Sequence, residues 1–166
     1  MRISAIIAAA GLALSGCSVS QDKASAEAGV VHFHDMLDAG RYHDIYAGGE
    51  PELRQTGSEA DGVRIFQMIH DRLGPFRSSR QTGWRVNFAP AGNIVNLTYN
   101  AQFASAAGSE DFVFRIRDGA AHLVGYHVNS TALNGPAPSA KPGEEAAAPG
   151  QSVVRLAEPP KPTGGK

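Results

Sequence analysis

Six histidines and four tyrosines are the residues of this chain best able to move a proton or hold a metal. His32, His34 and Asp35 lie close enough in sequence to suggest a ligand cluster. The spacing argues otherwise. Ligands that share a helix face stand three or four residues apart, whereas His32 and His34 diverge by about 200° around a helix axis. No second pair of the His-x3-His kind follows, so no metal is expected and these histidines read as solvated. His34 and Asp38 do have i,i+4 spacing, a common local pair on an exposed helix. The only cysteine is Cys17. Neither a nucleophile elbow, a phosphate loop nor a Cys-His arrangement occurs, and no motif implies a cofactor. What remains is a set of aromatic and imidazole side chains, Tyr42, Tyr46, Trp84, Tyr99 and His127, that share no catalytic spacing. A second set, Arg115, Arg117, His122 and Tyr126, would form a polar stripe suited to a partner.

Those residues depend on elements that the hydropathy pattern outlines. A helix is predicted over 24–39, with Val30, Phe33 and Leu37 on one side, Val31 alongside, and Gly40 as its stop. A short helical turn follows over 41–46, before Gly48, Gly49 and Pro51 interrupt it. Ser58 and Asp61 form a capping box for a second main helix whose stripe is Ile65, Phe66, Ile69 and Leu73, ended by Gly74-Pro75. Beyond Phe76 the period changes to two. Trp84, Val86 and Phe88 alternate with Arg85 and Asn87, and after a turn at 90–93 Val95, Leu97, Tyr99, Ala101 and Phe103 form the cleanest strand. A third strand over 111–117 presents Phe112, Phe114 and Ile116, and Asp118-Gly119 is a two-residue hairpin signal into a fourth. Simple alternation from that turn pairs Ile116 with Ala121, Phe114 with Leu123 and Phe112 with Gly125, leaving Arg115, Arg117, His122 and Tyr126 on the other face. Tyr99 and His127 fall on the apolar face, which carries no Asp or Glu as a base in any predicted strand. The fold class is α+β, with the N-terminal helices packed on one face of a four-stranded antiparallel sheet.

The ends have a different character. Residues 3–14 form an apolar run after Met1-Arg2, long enough for a signal peptide and too short to span a bilayer as a helix. Leu14-Ser15-Gly16-Cys17 resembles a bacterial lipobox, which implies cleavage after residue 16, acylation of Cys17 and a lipid-anchored mature protein. Ser18, where an Asp would signal retention at the inner membrane of Gram-negative cells, implies the outer membrane and a periplasm-facing domain. A polar spacer is expected over 18–23. At the other end, 134–166 holds seven of the ten prolines and no aromatic residue, so a disordered tail is predicted, with Val153-Val154-Arg155-Leu156 as its one apolar patch. A formal charge of -1 gives no basic excess with which to neutralise nucleic acid.

Met36-Leu37-Asp38-Ala39-Gly40-Arg41-Tyr42, Arg72-Leu73-Gly74, and Asp118-Gly119 leading to Val124-Gly125-Tyr126 resemble an uncharacterised family of bacterial exported domains with cystatin-like, NTF2-like architecture. The likeness covers about 28–130 and rests on turn and packing residues. The resemblance implies a cavity between helices and sheet that Tyr42, Tyr46, Trp84, Tyr99 and His127 would line; many relatives carry a Trp where this chain has Ala121, which implies a cavity either more open here or filled from Trp84. The expectation is a lipid-anchored binding or accessory domain rather than an enzyme, engaging a small ligand in the cavity or an envelope protein, or a second copy, on the outer sheet face. The alternative is a small-molecule enzyme of the NTF2-like type that uses a cavity Tyr or His.

Overall fold

A computed structural model describes residues 15–55 and 57–135; both the apolar N-terminal run and nearly all of the proline-rich tail lie outside them. Helices α1 (Ser15–Asp38), α2 (Tyr42–Gly48), α3 (Pro51–Arg54) and α4 (Glu59–Leu73) precede strands β1 (Phe76–Asn87), β2 (Asn93–Phe103), β3 (Ala107–Arg117) and β4 (Ala120–Asn129), and a 3-10 turn at Thr131–Leu133 follows. The strands form one curved antiparallel sheet in the order β1-β2-β3-β4, with the helices on one face. The fold is α+β, as the change of period predicts.

Helix α1 begins nine residues before the predicted start, at Ser15 rather than Ala24, so the expected spacer is helical. Side-chain contacts help to hold that early segment. Lys23 pairs with Glu27 one turn on, and Asn93 at the start of β2 donates to Asp22 at 2.7 Å. Ala26, Val30, Phe33 and Leu37 then face the sheet, while Val31 is turned outward. Gly40, at φ +70°, stops the helix as expected. Pro51 does more than interrupt: its fixed φ opens α3 from the first helical position. On α4 the Ser58 side chain accepts from the Asp61 amide, and Phe66, Ile69 and Leu73 are buried, whereas Ile65 is exposed.

The sheet departs from simple alternation in one consequential place. Ile116 pairs with Ala121 and Phe114 with Leu123 as predicted, across a turn whose Asp118 and Gly119 both have positive φ. A bulge then leaves Val124 without a partner, so Phe112 faces Tyr126 and Val113 faces Gly125. One inserted residue reverses every later side chain. Tyr126 moves to the helix-covered face and His127 to the outer one, the opposite of the predicted assignment. Strand β1 also begins eight residues before Trp84, as an edge strand bulged near Arg77 and Thr82. No alternation marks its first half because both faces there are polar.

In the core, Phe33 meets Phe66, Phe112 and Tyr126 with ring centroids 4.5–5.9 Å apart. The turn between β1 and β2 closes on Gly92, where φ is +109° and an added Cβ would stand 2.7 Å from the Ile116 carbonyl oxygen. Gly92→Ala should therefore lower stability by about 2 kcal/mol or more in urea unfolding, since a strained backbone and a collision coincide. Gly83→Ala, whose Cβ would find ordinary contacts at 3.7 Å and whose φ is not positive, should be neutral or slightly stabilising.

Candidate functional site

Between α1 and the sheet lies the feature that alternation within the strands concealed: a buried carboxylate. Glu110 stands on β3 one residue before the predicted strand begins, on the covered face, paired across the sheet with Tyr99 and Val128. It is 0% exposed. His34 Nε2 approaches both Glu110 oxygens at 3.1 Å, and the Tyr126 hydroxyl donates to Oε1 at 2.7 Å. His34 is itself 4% exposed, its ring stacked on Phe76 at 3.8 Å and edged by Phe33, Phe103 and Phe112. It is a core residue, not the solvated helix histidine expected from its neighbours. His32, two residues earlier, is exposed.

A carboxyl group buried in an aromatic shell needs hydrogen-bond partners, and His34 and Tyr126 supply them from two elements far apart in sequence. His34 meets Glu110 through Nε2 alone, the nitrogen that faces the sheet. Burial, with the Glu110 charge and hydrogen bond behind it, pushes the Tyr126 phenol well above its ordinary range and keeps it a donor. Chemically the trio resembles an oriented imidazole, yet Phe76 lies over its face. On one side His34 contributes to a cleft between α1 and β1 with Glu27, Ser78 and Tyr99. On the other, Tyr126 forms part of an apolar groove between α4 and β4. The hydrogen-bonded line thus runs through the core from cleft to groove.

The groove has a volume of about 320 Å³ and walls that include Ile65, Phe66, Met68, Ile69, Val128 and Leu133. Ile65 and Met68 form an exposed rim, and His127 stands at its edge. Tyr46, predicted for the cavity, is buried beside it with its hydroxyl donating to the Arg54 and Gly57 carbonyls. Gly62 is needed there, because an added Cβ would fall 2.4 Å from the Tyr46 ring.

The other predicted residues separate. Tyr99 is buried and its hydroxyl accepts from Gln81 at 3.2 Å, with burial raising its pKa. Tyr42 is half-buried, 3.1 Å from His70 Nδ1, and bridges α2 to α4. Trp84 is 52% exposed beside Lys23 of α1 and does not fill the space next to Ala121. That space is a separate cleft of about 210 Å³, bordered by Gly29, Phe114 and Ala121. His122 is half-buried. Arg115 and Arg117 are already engaged: Arg115 donates to Glu50 at 2.8 Å and to Glu52 at 2.9 Å, and Arg117 donates to both Glu50 oxygens. Burial works to raise the Glu50 pKa, but the two guanidinium groups outweigh it and hold the carboxyl below its usual range. The predicted partner stripe is thereby divided. Two of its members clamp the α2–α3 connection, and Tyr126 is inside.

Cys17 lies in the first turn of α1, and its side chain is outside the described atoms. Among the described residues no helix is long and apolar enough to cross a membrane.

Glu110→Ala should cost about 3 kcal/mol or more, because it opens a cavity and strands two polar groups. The His34→Leu/Glu110→Met double variant, which removes the polar pair together, should lose markedly less in the same unfolding assay. The raised Tyr126 pKa contributes stability that is complete below the unfolded value near 10 and is lost as pH rises through the folded value. Tyr126→Phe should accordingly flatten the alkaline limb of a stability profile above about pH 10; an unchanged slope would count against the buried phenol. The chain matches no protein-family model and no curated protein, so the roles of His34, Glu110 and Tyr126 rest on their geometry.

Proposed function

We propose that the chain is an envelope lipoprotein, anchored through acylated Cys17, whose cystatin-like or NTF2-like domain binds a small apolar ligand in the groove between α4 and β4. The groove is the observation that carries the binding role. Its volume falls within the range of small-molecule sites, and its walls are apolar around the ring of Tyr126. The exposed rim of Ile65 and Met68 would be covered by a bound ligand, which gives those side chains a reason to remain unburied. The anchor rests on Leu14-Ser15-Gly16-Cys17 and the apolar run over 3–14 that precedes it. An enzyme using a cavity His or Tyr is the weaker reading. His34 is held between Glu110 and Phe76 with almost no exposed surface, and the Tyr126 proton is committed to Glu110.

Intact mass and membrane fractionation beside a Cys17→Ser variant test the anchor. Acyl mass in the membrane fraction, absent from the variant, is expected; two soluble, unacylated proteins would remove it. For the groove, the soluble Cys17→Ser protein should bind an apolar fluorescent dye such as anilinonaphthalene sulfonate saturably at one site. Ile65→Asp/Met68→Asp should abolish that binding without altering circular dichroism. Dye binding that persists in the rim variant would exclude the groove.

A further inference from the structure

The end of the domain that carries the start of α1 also carries its most exposed aromatic residue. After β1 the chain turns through Phe88-Ala89-Pro90-Ala91, four residues without a charge, all of them exposed. Phe88 is 69% exposed. Immediately beyond this tip Asn93 bonds Asp22 of α1 at 2.7 Å, and Lys23 Nζ stands 5.9 Å from the centroid of the Trp84 ring. Cys17 precedes Asp22 by five helical residues, a rise of about 7 Å. The strand order places the turn between β3 and β4 at the same end. An apolar hairpin tip is a poor surface to offer water, and here it sits within a helical turn or two of the residue proposed to carry acyl chains.

We infer that this end is a membrane-docking surface, in which the tip at Phe88 enters the headgroup boundary of the bilayer that holds Cys17. The occupant is a lipid bilayer because the anchor, on which this inference rests, already fixes one within reach. Aromatic side chains partition favourably at that boundary, and Arg85, exposed on β1 three residues before Phe88, is placed to meet lipid phosphates. Asp118 at the neighbouring hairpin turn sets a limit on depth: the tip enters, while the adjoining turn stays in water.

The single tryptophan makes a direct measurement available. The acylated W84F/F88W protein, with its only indole at position 88, is reconstituted in vesicles of phosphatidylethanolamine and phosphatidylglycerol with or without brominated acyl chains. A W84F/R77W protein places the indole at the far end of β1, roughly 30 Å away. Intact mass verifies the acyl chains of both, and circular dichroism their fold. The expected result is a blue shift and loss of emission to brominated lipid at position 88 and neither at position 77. Acylated protein with no quenching at 88, or with equal quenching at both positions, would overturn docking while leaving the anchor standing. Protein that carries no acyl mass would overturn the anchor, and the docking surface with it.

Discussion

A carboxylate placed where water cannot reach it is the constraint around which this domain is arranged. Among the described residues His34 and Tyr126 satisfy Glu110, one from α1 and one from β4. Meeting both needs sets the rotation of α1 about its axis, since His34 must share a face with Val30 and Leu37. It sets the register of β4 as well, because only the bulge at Val124 brings Tyr126 to the covered face. Phe76, stacked on His34, ties the start of β1 to the same point. Buried polar groups of this kind add little net stability relative to apolar packing, but every misregistered alternative strands a charge. Their value here is discrimination among packings that hydrophobicity alone would leave nearly equal.

The elements were legible because their periodicities are local. Val95 to Phe103 alternates without a break, the stripe of α4 is clear, and Asp118-Gly119 dictates a hairpin; these suffice for an α+β fold with helices on one face. The site was not legible, for one physical reason. Its three members come from positions 34, 110 and 126, and their meeting depends on a bulge with no strong local signature beyond Gly125. Alternation carried past Val124 puts Tyr126 and His127 on each other's faces. Glu110 stands two residues before Phe112, the first apolar residue of the alternation, and one before the predicted start at 111, so it lay outside the predicted strand. A helical signal did exist for His34, which continues the Ala26, Val30 row at i+4, but histidine on a helix gives no hint of burial without its partner.

The two edges of the sheet are finished differently. Along β4, Glu50 donates its amide to the Leu123 carbonyl, and its carboxylate is gripped by Arg115 and Arg117, so the α2–α3 connection is drawn over part of that edge. The arginines that alternation assigned to a partner are thus used within the domain, and the half-buried pairing gives them better geometry than a solvent-exposed ion pair would have. One consequence is that α2, α3 and the mouth of the groove are mechanically joined to β3.

On β1 the Phe76 amide is taken by the Asp38 carboxylate, and among the described residues no strand pairs with the outer edge beyond it. That edge is the kind of template on which identical chains can grow into a shared sheet. The irregularities near Arg77 and Thr82 break the flatness that such growth requires, and the exposed Arg77, Arg80 and Arg85 place positive charge along the strand, which opposes its pairing with a second copy. On the lipid surface proposed above, where neighbours would collide far more often than in solution, such an edge would keep a dense population of domains separate.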